Sequence, residues 1–176
     1  MTTTQHLLAV TWTDAEGLLD RVVGMLRRRQ VRVHSLAVGR ALQEGCSRLT
    51  VIIESEAAAA DRLVHLYRNV IGVRTVASLP VDQTIVRELA LVTLTPSAGE
   101  RAECLDTLAL FGANLLDDAN DQIVAELRGD PVFVLSCLRA VERFGIRDVS
   151  RTGAAALPRP ISAPMLTLQP PQGASA

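Results

Sequence analysis

The chain has 176 residues, a net charge of −1 at pH 7, 48% hydrophobic residues and only 3% aromatic ones. That is material for one domain or two small ones with a core of Leu, Val, Ala and Ile, and the balanced charge argues against nucleic acid as a partner and against a solvating acidic tail. Every basic side chain apart from the three histidines is arginine, which removes lysine Schiff-base chemistry and the lysine of a phosphate-binding loop.

Cys46, Cys104 and Cys137 are far apart and odd in number, so they read as buried thiols and not as a metal motif or a disulfide framework. His6, His34 and His65 form no ligand pair. The start, Met-Thr-Thr-Thr-Gln, lacks the basic and apolar regions of a secretory signal, and no apolar run reaches the length of a membrane span. A cytoplasmic protein without membrane contact is the expectation.

Gln5 to Thr11 is predicted as a strand. A helix from Leu18 to Arg29 follows, with Leu18, Leu19, Val22, Val23 and Leu26 as its apolar stripe. Arg27-Arg28-Arg29 suits the negative end of its dipole, and Gln30 ends it. Val31 to Val38 is rich in β-branched residues and reads as a strand. Ala41 to Gly45 is a hairpin loop, and Ser47 to Glu54 alternates as the next strand. A second helix spans about Ala57 to Asn69 and closes at Gly72, and Val73 to Leu79 is a fourth strand.

The order then begins again. Glu88 to Thr95 is a strand, Ala102 to about Gly112 a helix, and Ala113 to Asp118 and Gln122 to Leu127 two strands around a turn at Asn120-Asp121. Asp130-Pro131 starts a helix, with a capping carboxylate and proline at the first helical position. Ile146 to Ser150 closes the unit. Two β-α-β-β-α-β units predict an α+β protein of two ferredoxin-like domains, each an antiparallel sheet with its helices on one face. The boundaries read as 2–79, a linker at 80–85, and 86–152, with a disordered proline-rich tail at 157–176. Arg32, His34, Arg48 and Thr50 predict a fairly polar opposite face for the first sheet, whose edge strand is able to pair with another copy.

The stretch Trp12 to Leu18 is the candidate site. A strand, a tight polar loop and a helix start there, and Gly17 permits a sharp turn. The free N–H groups of the helix start suit a carboxylate, and Asp14 suits an ammonium group, so the loop fits an amino acid by its two charged ends. The plainer alternative is that Asp14 or Glu16 caps the helix and Gly17 only turns. The acidic cluster Asp117, Asp118, Asp121 lacks the glycine and closing glutamate of a calcium loop and reads as a polar hairpin. No nucleophile elbow and no metal set is present, so a non-catalytic role is expected, with no catalytic and no metal-binding residue.

The stretches D-A-E-G-L-L-D-R-V-V-G-M-L (Asp14 to Leu26), V-R-V-H-S-L-A-V (Val31 to Val38) and C-S-R-L-T-V (Cys46 to Val51), with R-E-L-A-L-V (Arg87 to Val92) and I-R-D-V-S-R-T-G (Ile146 to Gly153), resemble the small regulatory subunit of acetolactate synthase. The first half is similar to that family's ACT domain. The resemblance implies a subunit that activates a catalytic large subunit and confers feedback inhibition by a branched-chain amino acid, usually valine. It implies a homodimer through the ACT domains, with the effector between Asp14, Ala15, Glu16, Gly17 and Leu18 of one copy and Arg32 and Val33 of the other. It places thiamine diphosphate, FAD and Mg²⁺ in the large subunit and no cofactor in this chain.

The family has asparagine where this chain has Asp14 and Arg32, and glycine where it has Gln30. Either Arg32 attracts the effector's carboxylate while Asp14 takes the ammonium, or the two residues pair across the dimer and fill the site. A synthase subunit without an effector site, and a stand-alone double-ACT sensor acting on another enzyme or on transcription, are the alternatives at this point.

Overall fold

The structure is a computed structural model, and it describes residues 3–29 and 31–160. The chain divides into two compact units, one of residues up to Ile85 together with those from Ala156 onward, the other Val86–Ala155. Each unit carries the expected β-α-β-β-α-β order.

In the first unit, β1 (Thr4–Thr13), α1 (Leu18–Arg28), β2 (Arg32–Arg40), β3 (Cys46–Ser55), α2 (Ala57–Arg68) and β4 (Val73–Leu79) follow one another. The sheet order is β2-β3-β1-β4, antiparallel throughout. Alternation decides which side chains meet the helices: Leu8, Val10 and Trp12 of β1 and Leu49, Val51 and Ile53 of β3 share one face. Leu18, Val22 and Leu26 come down on them from α1, four residues apart, and Ala60, Leu63, Val64 and Tyr67 from α2. Tyr67 is fully buried and donates its hydroxyl to the Val22 carbonyl at 3.0 Å, tying α2 to α1. Burial pushes its phenol well above the usual tyrosine range.

The opposite face of this sheet is not the polar surface expected. Register places Leu7 beside Ile52 and Ala9 beside Thr50, and Leu7, Ala9 and Thr50 are all buried. Arg48 is partly buried there and donates to the Ala156 carbonyl at 3.1 Å, with burial drawing its guanidinium below its usual value. Leu7 and Ala9 stand on the inner strand β1, where a count of polar residues along β2 and β3 does not register them, and Ile52 of β3 joins them.

In the second unit, β5 (Thr84–Leu94), α3 (Arg101–Leu110), β6 (Asn114–Ala119), β7 (Gln122–Gly129), α4 (Pro131–Val141) and β8 (Ile146–Arg151) form a sheet of order β6-β7-β5-β8 under two helices. Asp130 caps α4 as its residue type demands, accepting from the Val132 and Phe133 amides at 3.0 and 2.9 Å. Asn120 and Asp121 both take positive φ, 52° and 58°, the backbone of a two-residue hairpin turn. Asp118 pairs with Arg101, so the acidic cluster is hairpin structure, and among the described residues no group of three or more His, Cys, Asp or Glu is placed to hold a metal. Cys46, Cys104 and Cys137 are all buried.

Within the expected linker, Val81–Gln83 forms a 3-10 turn and β5 begins at Thr84. The tail differs at its start: Leu157 and Pro158 belong to a further strand, β9 (Ala155–Pro158), which pairs with β5. The rest of the expected tail, 161–176, and Gln30 lie outside the described residues. Among the described residues no helix is long and apolar enough to cross a membrane.

Candidate functional site

The loop between β1 and α1 is pinned by the β2–β3 hairpin loop and by the start of β4. The Thr13 amide donates to the Gly72 carbonyl at 2.9 Å and the Asp14 amide to Gly45 at 2.7 Å, while Arg74 donates to the Thr13 hydroxyl at 2.8 Å. Gly72 has φ 95°, and a Cβ there would lie 2.7 Å from Leu18 Cδ2, so only glycine lets the start of β4 approach the start of α1. Ala15, Glu16 and Gly17 are exposed; Leu18 is buried, its side chain in the core and its amide on the Ala15 carbonyl at 3.2 Å.

Gly17 is the N-cap of α1, at φ 72° and ψ 0°, with no heavy atom within 4 Å of where its Cβ would stand. No side chain caps the helix. The plain alternative of an Asp14 or Glu16 cap is therefore not what the chain does. Among the described residues the amino end of α1 thus has no side-chain cap, and Asp20 is the acidic residue of its first turn.

Asp14 faces elsewhere. Its Oδ2 accepts from Arg40 Nη1 at 2.7 Å and its Oδ1 from Ser47 Oγ at 2.5 Å. Arg40 and Ser47 are cross-strand partners at the β2–β3 hairpin, and Ser47 also lies opposite Trp12 of β1. Sequence reasoning missed both. The signal was available in the antiparallel register, since the hairpin end of β2–β3 must lie beside the end of β1.

Arg32 and Val33 are at the other end of β2, eight and seven residues before Arg40, a separation of about 23–26 Å along a strand. Within one chain they do not join Asp14 to Leu18. Arg32 lies 3.8 Å from Glu54, which also takes His34 Nε2 at 2.8 Å and the Thr3 hydroxyl at 3.2 Å. The hydrogen bond from His34, then that from Thr3, hold the Glu54 carboxyl below the usual range. Between these ends, Val33, Leu36 and Val38 of β2 are 42%, 36% and 43% exposed, although their partners Ile53, Val51 and Leu49 on β3 are fully buried. Among the described residues β2 is the edge strand of this sheet, and the helix-side apolar face runs out at it.

In the second unit, Glu88 and Arg151 form a two-pronged ion pair at 2.6 and 2.8 Å, with the Glu88 side chain almost fully buried. They come from two stretches far apart in sequence, Arg87 to Val92 and Ile146 to Gly153, joined as neighbours β5 and β8. An open cleft beside them is lined by Arg87, Leu89, Arg128 and Thr152.

A family model described as the small subunit of acetolactate synthase matches residues 87–160. The acetolactate synthase small subunit of Mycobacterium leprae is 30% identical over 154 residues, 88% of this chain and 91% of that protein. The probable acetolactate synthase small subunit of Archaeoglobus fulgidus is 27% identical over 155 residues, 88% of this chain and 97% of that protein. The crystal structure of the acetolactate synthase small subunit of Thermotoga maritima shares the fold, with a TM-score of 0.82 at 19% identity over 89% of this chain and 98% of that one.

Proposed function

The chain belongs to the acetolactate synthase small-subunit family, and on that premise we propose that it is the regulatory subunit that activates the catalytic large subunit and carries its feedback inhibition by a branched-chain amino acid such as valine. The observation that carries this reading is the extent of the similarity, 88% of this chain and 91% of the M. leprae protein, which takes in both units. The chemistry of acetolactate formation, with its thiamine diphosphate, FAD and Mg²⁺, falls to the large subunit.

The effector site in this proposal is made by two copies. Two β2 edges pairing antiparallel about a two-fold axis would cover Val33, Leu36 and Val38 and continue the sheet. The same operation carries Arg32 and Val33 of one copy toward the β2 end that holds Arg40, and so toward the loop Asp14 to Leu18 of the other. There the open amino end of α1 and an incoming Arg32 both favour a carboxylate, and Asp14 retains lone pairs for an ammonium. An effector that prefers one arrangement of the dimer shifts the equilibrium shared with the large subunit.

The test is acetolactate formation by the cognate large subunit, with and without this chain, across a valine titration. Activation with valine inhibition is the expected result. Activation without inhibition removes the effector half of the proposal and leaves a subunit whose site is lost. No activation by a verified cognate pair overturns it. Gly17→Asp would place a carboxylate at the amino end of α1, where there is space for the side chain but the φ of 72° strains it by about 1 kcal/mol; it should abolish the valine response and leave activation in place.

A further inference from the structure

Asp14 is the wrong charge for a loop that receives a carboxylate. Asp at such a position ordinarily turns back on the amides two and three residues ahead, here Glu16 and Gly17, and lends its charge to the helix start. In this chain it does neither. Its two oxygens are held by Arg40 at 2.7 Å and Ser47 at 2.5 Å, both on the β2–β3 hairpin, and α1 is left with no side-chain cap. The Asp14 backbone is fixed separately, by its amide on Gly45 at 2.7 Å, so the side chain's direction is set by Arg40 and Ser47 alone.

We propose that Arg40 is the positioning residue of the effector site: by holding the Asp14 carboxylate against the β2–β3 hairpin and cancelling its charge, it keeps the amino end of α1 open to the carboxylate of a short aliphatic amino acid. The inference rests on the proposed role of the loop from Asp14 to Leu18 as the effector site. Ser47 supplies one hydrogen bond to the same carboxylate but no positive charge, so it cannot cancel the charge of Asp14 by itself. Without Arg40, the carboxylate is free to swing onto the Glu16 and Gly17 amides, where it occupies and repels what the ligand needs.

The full-length chain and its variants Arg40→Ala, Asp14→Asn and Arg40→Ala/Asp14→Asn are titrated with L-valine by calorimetry. Amide hydrogen exchange at Glu16, Gly17 and Leu19 is measured by NMR without ligand. Arg40→Ala should weaken valine binding tenfold or more and slow exchange at Glu16 and Gly17 severalfold. The double variant should recover binding to within threefold of the unaltered chain, since the amide oxygen that replaces the carboxylate still accepts from an ammonium and no charge is left to misdirect. Unaltered valine affinity in Arg40→Ala, or a double variant that binds no better than Arg40→Ala, overturns the proposal. So does unaltered exchange. A merely structural Arg40 would show a lowered melting temperature that Asp14→Asn does not rescue. If no form binds valine yet exchange slows in Arg40→Ala, the effector reading fails and the hold of Arg40 on Asp14 stands.

Discussion

Glu54 takes hydrogen bonds from His34 and Thr3 and lies 3.8 Å from Arg32. Because its folded-state carboxyl titrates below the ordinary value of 4.5, its contribution is present above that pH and is lost as pH falls through the lowered value. Melting temperatures of the unaltered chain should therefore drop more steeply below pH 4.5 than those of Glu54→Gln; parallel curves would show that the cluster contributes nothing. Tyr67 works in the other direction. Its phenol is raised by burial, so stability is intact below the ordinary tyrosine value near 10 and declines as pH rises beyond it. Tyr67→Phe should cost about 1 kcal/mol at neutral pH through the lost bond to Val22, and should lack that alkaline decline in a series of denaturant melts. Neither effect is readable from the sequence. His34 and Glu54, or Tyr67 and Val22, are 20 and 45 positions apart, and only the register of β2 on β3 and the docking of α2 on α1 bring them together.

At the scale of elements, most of the chain was legible because local signals agreed with one another. Of the expected stripe on α1, Leu18, Val22 and Leu26 are buried as their spacing requires, whereas Val23 is half-buried and Leu19, next to Leu18 in sequence and turned about 100° around the helix from it, is exposed; the Asp130-Pro131 start is capped as read, and Asn120-Asp121 turns the hairpin between β6 and β7. Asp130→Ala removes both bonds of the α4 cap and should cost about 1 kcal/mol in urea unfolding. Gly72 was legible only as the residue that closes α2. Its second role, close approach to Leu18 at positive φ, needs the tertiary structure. Gly72→Ala should destabilise the first unit by about 1–3 kcal/mol and move the amides of the loop from Asp14 to Leu18 in NMR spectra. Spectral changes confined to α2 and β4 would show that Gly72 does not set the loop. The missed strand β9 has a physical reason as well: Ala155 to Pro158 carries neither a period nor β-branched residues, and its strand character comes from pairing with β5.

For the whole molecule, the β2 edge of the first sheet is the feature with the largest consequence. Val33, Leu36 and Val38 extend a core face past the last strand, an arrangement that calls for a cover. Leu36→Glu should convert a dimer into monomers in sedimentation velocity while leaving the fold unchanged by circular dichroism, and should weaken valine binding with it. A monomeric unaltered chain at micromolar concentration would remove the two-copy site and, with it, the role proposed for Arg32 and Val33.

Periodicity, turn residues and caps act within a few positions of one another, and they alone determined the two β-α-β-β-α-β units, the helix faces and the loop that starts α1. The loop's chemistry was decided by contacts across strands. Asp14 could be read as a cap, an ammonium acceptor or a partner of Arg32, and each was consistent with its neighbours in sequence. Antiparallel pairing set Arg40 and Ser47 beside it instead, because the charges a side chain meets depend on which strand ends the sheet brings together, and no local pattern encodes that meeting.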